Sequence, residues 1–272
     1  MSSAAPAAAF GSAAGRQVAA FRILTRGPSD VAELTALLDT GALLAEDLVS
    51  ILGKTEGNGG RNDFTRELAI RALEDLLAPR LGVPKDAVCD RVILSFSGGT
   101  EGLVTPHLLA FAQRGEFRKQ RAAHKRLVIG TGYTRAFAPE EIGRMAQVQA
   151  TAQAISEIAS QLHLDSVKDV HLVQMKGAIP SATYEQEVAA AQRGKPLRAN
   201  MIYSRGASAL GAAVALGELA PSAAQSLSDE AICADYSLYS GVASVSAKPG
   251  LQRTEIMVFA NSAYVDGNLA IG

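Results

Sequence analysis

Lysine, arginine and serine occur twice in the same order along this chain, at positions 54, 66 and 97 and again at 176, 205 and 246. Lys54 heads the glycine-rich turn Gly53-Lys54-Thr55-Glu56-Gly57-Asn58-Gly59-Gly60, directly behind the apolar run Leu48-Val49-Ser50-Ile51-Leu52. Lys176 likewise ends the run Val170-His171-Leu172-Val173-Gln174-Met175. Ser97-Gly98-Gly99 follows Arg91-Val92-Ile93-Leu94-Ser95-Phe96, which reads as a buried strand opening into a tight turn. Two glycines there permit positive φ and bring backbone N–H groups close to a small ligand, so the turn is a candidate cradle for a carbonyl or an oxyanion. The Lys54 turn lacks the spacing of a phosphate loop, Gly-x-x-x-x-Gly-Lys-Ser/Thr, and has no helix directly behind it, which argues against nucleotide binding.

The elements that carry these residues also recur, and shared order on shared elements points to an internal repeat. In the first unit Val18–Thr25 reads as a strand, and Pro28-Ser29-Asp30 caps a helix with Val31, Leu34, Leu37 and Leu38 on one face. The strand ending at Lys54 follows, and Asp63-Phe64-Thr65-Arg66-Glu67 opens a helix that turns Leu68, Ala69, Ala72, Leu73 and Leu76 inward. Residues 112–125 read as a charged connector without an apolar face. In the second unit Arg126–Thr131 is a strand, Pro139-Glu140-Glu141-Ile142 starts a helix that runs through Ile158, and Tyr203-Ser204-Arg205-Gly206-Ala207-Ser208 opens a small-residue helix to Leu219. Tyr236 to Val245 then leads to Ser246-Ala247. Thr254–Ser262 matches the opening strands, and Gly267–Ile271 would start the helix after it, so a third copy begins and stops. The expected organisation is a disordered tail over 1–16, repeat unit A over 17–117, unit B over 118–252 and the start of a unit C over 253–272. A fold that ends one strand into a repeat leaves an unpaired edge, so the chain reads as part of a protein about 90–100 residues longer.

Composition restricts the function. The 272 residues are 48% hydrophobic and carry a formal net charge of -1 with both signs interspersed, so no basic footprint for nucleic acid or an anionic membrane is present. A small neutral substrate fits this balance. Cys89 and Cys233 are far apart, which indicates neither a zinc site nor a disulfide framework and makes a reducing cytoplasm the expected setting. The Ala/Ser-rich start has no signal-peptide pattern, and no stretch approaches the roughly 20 apolar residues of a membrane span.

Gly53–Gly59, Ser97-Gly98-Gly99-Thr100-Glu101-Gly102, Tyr203–Gly211 and Ser244-Val245-Ser246-Ala247 together resemble the cyanuric acid hydrolase and barbiturase family of ring-opening amidohydrolases. The resemblance runs from about residue 18 to the last residue. It implies an α/β fold of pseudo-threefold repeated units whose sheets form a central β-barrel with helices outside. The implied substrate is a flat cyclic imide on the pseudo-threefold axis, each unit contributing a Lys, an Arg and a Ser. It further implies Ser246 as nucleophile and Lys176 as base, with Arg66, Ser97, Gly98, Arg205 and Ala247 among the substrate contacts and Lys54 in support. No cofactor is implied for catalysis. A structural Mg or Ca ion would sit only in the third unit, leaving no metal ligand here, and a homotetramer is the implied assembly.

The chemistry is consistent on its own terms. Hydrolysing a ring amide needs a nucleophile, a base, and donors for the developing oxyanion. His107, His124, His163 and His171 offer no Ser-His-Asp order. A lysine base must be neutral, which costs about 4 kcal/mol against its ordinary state and is met by burial and neighbouring cations. Competing readings stand beside these roles. The lysines could be solvated strand ends, and Arg66 and Arg205 could pair with Glu67 or Glu218. Ser208 is a rival nucleophile, although it better suits close helix approach together with Ala209, Gly211, Ala212 and Ala213. Glu56 and Glu101 are either partners of the lysines or exposed turn residues; Tyr133, Tyr203 and Tyr236 read as packing residues, and His107 as a helix or loop residue near the cradle. The expected reaction is ring opening of cyanuric acid to a carboxybiuret that loses carbon dioxide. The alternatives are the same chemistry on barbiturate, and a non-catalytic binding or assembly module.

Overall fold

Two four-stranded sheets with the same strand order carry the described part of the chain. The computed structural model describes residues 10–11, 15–60, 62–100 and 103–272. Most of the expected N-terminal tail, and Glu101 and Gly102, lie outside these. The described chain divides into two units, the first reaching Val128 and including Tyr264–Ala270, the second running Ile129–Ala263 and including Ile271–Gly272.

The first unit contains β1 (Gln17–Leu24), α1 (Ala32–Asp39), β2 (Leu48–Lys54), α2 (Thr65–Leu81), β3 (Ile93–Ser97) and β4 (His107–Arg114). The sheet order is β1-β4-β2-β3, with β2 and β3 parallel and β4 antiparallel to both β1 and β2. Ala69, Ile70, Leu73, Leu76 and Leu77 recur at helical spacing on α2 and are buried in one core with Phe21, Ile23, Ile51, Leu94 and Phe96. Gly82 ends the helix with φ of 66°, a conformation that suits a residue without Cβ. Burying such a leucine contributes about 2 kcal/mol, so this stripe fixes the sheet beneath it.

The second unit contains β5 (Arg126–Tyr133), α3 (Met145–Ser160), β6 (Val170–Ile179), α4 (Tyr184–Gln192), α5 (Met201–Ala215), α6 (Pro221–Ser226), β7 (Ala243–Pro249) and β8 (Glu255–Ser262). Its order, β5-β8-β6-β7, repeats that of the first sheet, again with the edge strand β7 parallel to β6 and with β6–β8 antiparallel. The small residues of α5 serve close packing as expected: a Cβ on Gly211 would lie 2.6 Å from Thr151 Cβ on α3. Asn200 caps α5 by accepting from the backbone N–H groups of Ile202 at 3.0 Å and Tyr203 at 3.1 Å.

Several expectations change. Residues 107–114, the last three of them read as charged connector, form β4, an inner strand whose Leu108, Ala110 and Ala112 are buried in alternation. The alternation is carried by alanines, so its apolar face is weak in the sequence. His107 is therefore a strand residue. The strand expected to open a third copy is β8, which lies between β5 and β6 in the second sheet. Residues 267–271 form no helix; Leu127 donates its backbone N–H to Leu269 O at 2.8 Å. The helix expected from Pro139 is interrupted at Gly143, where φ is 69°, and begins at Met145. Tyr236 is 89% exposed and packs nothing, whereas Tyr203 joins the cluster of Val148, Ala207 and Leu210. No closed barrel is formed by the two described sheets.

Candidate active site

The repeated topology places the repeated residues in the same register. Lys54 is the Cα partner of Ser97 in the parallel β2–β3 pair, and Lys176 is the partner of Ser246 in the parallel β6–β7 pair. On its other side each lysine faces a titratable residue across an antiparallel pair, His107 opposite Lys54 and Glu255 opposite Lys176.

In the second unit the pair is in contact. Lys176 is 2% exposed and its Nζ lies 2.8 Å from Ser246 Oγ. At that separation a proton can be held by either partner, an ammonium donating to Oγ or a neutral amine accepting from the hydroxyl. Gly177, the next residue, is required by packing: a Cβ there would meet Ser204 Oγ of α5 at 2.5 Å. Ser204 Oγ donates to Ala178 O at 2.7 Å, which ties α5 to β6 just beyond Lys176. Gln147 of α3 completes this support, its Nε2 donating to Ser204 Oγ at 3.2 Å and to Ser208 Oγ at 3.1 Å. Ser208 is fully buried in that network, where its hydroxyl serves the packing of α5 on α3. Ala247 is buried beside Ser246, and Arg205 is exposed on α5, its Nε donating to Met201 O at 3.1 Å.

Glu255 is the residue the sequence reading missed. Its Oε2 is buried without a hydrogen-bond partner. Burial pushes its carboxyl up to about 7, against the opposing pull of Lys176, Lys248 and Arg253. In the sequence it is only a carboxyl at the start of an apolar run, and the pairing of β8 with β6 is what brings it opposite Lys176.

In the first unit Lys54 Nζ donates to Gly98 O at 2.8 Å, so lysine and cradle meet there through backbone. Gly57 O accepts from Gly99 N–H at 2.5 Å, joining the two glycine turns, and Gly99 takes a φ of 81°. Beneath them lies Asp63, also missed as a site residue. A Cβ on Gly57 or Gly98 would come within 1.8 Å of its carboxylate oxygens, so both turns need glycine. Asp63 accepts from Gly59 N–H at 2.9 Å, from Thr65 N–H at 3.0 Å and from the Thr65 hydroxyl. Burial raises its carboxyl, but these hydrogen bonds and the Arg66 guanidinium outweigh it and hold the group below the ordinary carboxylate range. Arg66 is buried, 3.7 Å from Asp63 Oδ2, and donates to Gly60 O at 2.6 Å. It thus clamps the glycine turn rather than pairing with Glu67, which stands 3.7 Å from Arg71. Likewise Glu218 accepts from Gly241 N–H at 2.8 Å. Glu56 is exposed. Among the described residues no group of three or more His, Cys, Asp or Glu side chains is placed to hold a metal ion, and no helix is long and apolar enough to cross a membrane.

The amidohydrolase ring-opening protein family matches residues 19–272. The chain belongs to this family, and it is a hydrolase of the kind that acts on cyclic amides. Among its relatives, the cyanuric acid amidohydrolase of Bradyrhizobium diazoefficiens is 43% identical over 261 residues, covering 94% of this chain and 69% of that protein. The cyanuric acid amidohydrolase of Enterobacter cloacae is 43% identical over 263 residues, with 94% and 70% covered. A solved cyanuric acid hydrolase superposes with a TM-score of 0.81 at 39% identity, over 92% of this chain and 69% of that one.

Proposed function

We propose that the protein opens the ring of cyanuric acid by hydrolysis, with Ser246 as nucleophile and Lys176 as its base. The observation that carries this reading is the 2.8 Å contact between a buried lysine on β6 and a serine in the middle of β7. In the first step the Ser246 O–H bond breaks, the proton passes to Lys176 Nζ, and Oγ bonds to a ring carbonyl carbon. Collapse of the tetrahedral intermediate breaks the ring C–N bond, and Lys176 returns the proton to the departing nitrogen. Water then releases the acyl group from Ser246 with Lys176 again acting as base. The product is a carboxybiuret, which loses carbon dioxide to give biuret. Arg205 and Ala247 are proposed as substrate contacts in the second unit, and Arg66, Ser97 and Gly98 in the first, with Lys54 in support. The pseudo-threefold barrel, a homotetramer and a cytoplasmic setting belong to the same proposal; the shared strand order of the two sheets supports the repeat.

The test is hydrolysis of cyanuric and barbituric acids by the protein and by Ser246→Ala and Lys176→Ala. Turnover of cyanuric acid that falls about a thousandfold or more in both variants is expected, on the scale of losing a covalent catalyst and its base. Turnover of barbiturate alone would transfer the assignment to that ring. Undiminished activity in either variant would sink the dyad.

A further inference from the structure

Lys176 has a cross-strand partner on each side, Ser246 on β7 and Glu255 on β8. Directly opposed residues of neighbouring strands project to one face, so the three side chains form a row with the lysine in the middle. Glu255 Oε2 is closed off from solvent and accepts no hydrogen bond. A carboxyl in that position costs stability whenever it is ionised, and a threonine or glutamine would open the strand without that cost. The corresponding place in the first unit, opposite Lys54, also carries a titratable residue, His107. A destabilising carboxyl beside the lysine of the dyad therefore calls for a role in the chemistry.

Resting on the Ser246–Lys176 reading above, we infer that Glu255 is a positioning residue for Lys176, supplying the negative charge that balances the ammonium formed when the lysine takes the serine proton. Glu255 makes and breaks no bond in the reaction. It is the third member of a Ser246–Lys176–Glu255 row, as an orienting group stands behind the base in other nucleophile–base pairs. Lys248 on β7 and Arg253 before β8 share the field of the same carboxylate, and Arg253 stacks over Tyr133 at 3.9 Å from the ring centroid. Because Glu255 is protonated below about 7 and ionised above it, the counter-charge is present on the alkaline side and lost on the acid side. The rate falls as pH drops through that value.

The experiment is the pH dependence of kcat/KM for cyanuric acid in the wild-type protein, Glu255→Gln and Glu255→Asp, with Ser246→Ala and Lys176→Ala beside them. The wild type is expected to show an acid limb near pH 7. Glu255→Gln should lose tenfold or more in rate on the alkaline side and lose that limb, whereas Glu255→Asp keeps a limb. A wholly structural role would change the rate without moving the limb. Glu255→Gln with the wild-type limb and a rate within about twofold, while Ser246→Ala and Lys176→Ala are inactive, would overturn the role of Glu255 and leave the dyad standing. Activity retained in either dyad variant would overturn both. Should Glu255→Gln fail to fold, acetylation of Lys176 by acetic anhydride in the wild type, read by peptide mass spectrometry against the exposed Lys168, decides the matter. Reactivity of Lys176 that is held down relative to Lys168 as pH rises through the limb supports the inference, because an ionised Glu255 favours the unreactive ammonium, and reactivity that parallels Lys168 sinks it.

Discussion

Lys176 and Ser246 face each other in a parallel strand pair with Nζ and Oγ 2.8 Å apart, and Lys54 and Ser97 hold the same register in the first unit. The contacts of the two lysines differ: Lys54 Nζ donates to the backbone oxygen of Gly98, whereas Lys176 Nζ meets a hydroxyl that can be a nucleophile. Equivalent places in a repeat thus carry unequal chemistry.

Substituting Lys176→Arg separates a base from a mere cation. Arginine keeps the positive charge but is not deprotonated in proteins, so it cannot accept the Ser246 proton. Turnover is expected to fall about a thousandfold, close to the Lys176→Ala value. If Lys176 served only to bind a carbonyl, Lys176→Arg would retain a substantial part of kcat.

Ser208→Ala tests the rival nucleophile. Its hydroxyl accepts from Gln147 Nε2 at 3.1 Å inside the α3–α5 interface. The expected result is a loss of about 1 kcal/mol in urea unfolding with kcat unchanged. A collapse of kcat with stability intact would return Ser208 to the active site.

How much of this the residues disclosed depended on what kind of signal each carried. The double Lys, Arg, Ser order was readable because each residue ends or opens an apolar element, and the structure puts both Lys–Ser pairs in register. β4 was hidden because its buried positions include Ala110 and Ala112, and Gln113 and Arg114 lead into a charged stretch. Glu255 was hidden for a different reason. A carboxyl at a strand start reads as solvent-facing, and only the pairing of β8 with β6 brings it opposite Lys176. Asp63 was read as a helix opener, but its burial under Gly57 and Gly98 depends on two turns, one of them 35 residues further along the chain.

Gly177→Ala probes the support of the dyad. The added Cβ would stand 2.5 Å from Ser204 Oγ and 3.3 Å from Ser204 O, so α5 or β6 must move. A stability loss of about 1–3 kcal/mol is expected. Because Gly177 follows Lys176, kcat should fall as well while KM changes less. A fully active, fully stable Gly177→Ala would show that β6 and α5 can separate without disturbing the dyad.

Asp63 is expected to hold the cradle of the first unit together. Asp63→Ala leaves the Gly59 and Thr65 donors and the Arg66 guanidinium without their buried partner, at a cost of about 3 kcal/mol. Since its folded pKa is depressed, the stability it contributes is present above the unfolded carboxylate value of 3.8 and is lost as pH falls through the lower folded one. Acid unfolding of the wild type below about pH 4 should therefore include a component missing from Asp63→Asn. Coincident acid transitions in the two proteins would remove Asp63 from this role.

Glu255 has the opposite sign. Its folded value of about 7 lies above the ordinary carboxyl value of 4.5, so its favourable contribution is complete below 4.5 and is lost as pH rises to 7. On the alkaline side the ionised group costs up to about 3 kcal/mol of folding free energy. Glu255→Gln, which mimics the protonated form, should accordingly be more stable than the wild type at pH 8, melting several degrees higher, with the two curves converging below about pH 5. Thermal unfolding across this range measures it. A variant less stable than the wild type at pH 8 would mean that the carboxylate is a net stabilising partner of Lys176, Lys248 and Arg253, and the case that Glu255 is kept for catalysis at the expense of stability would fail.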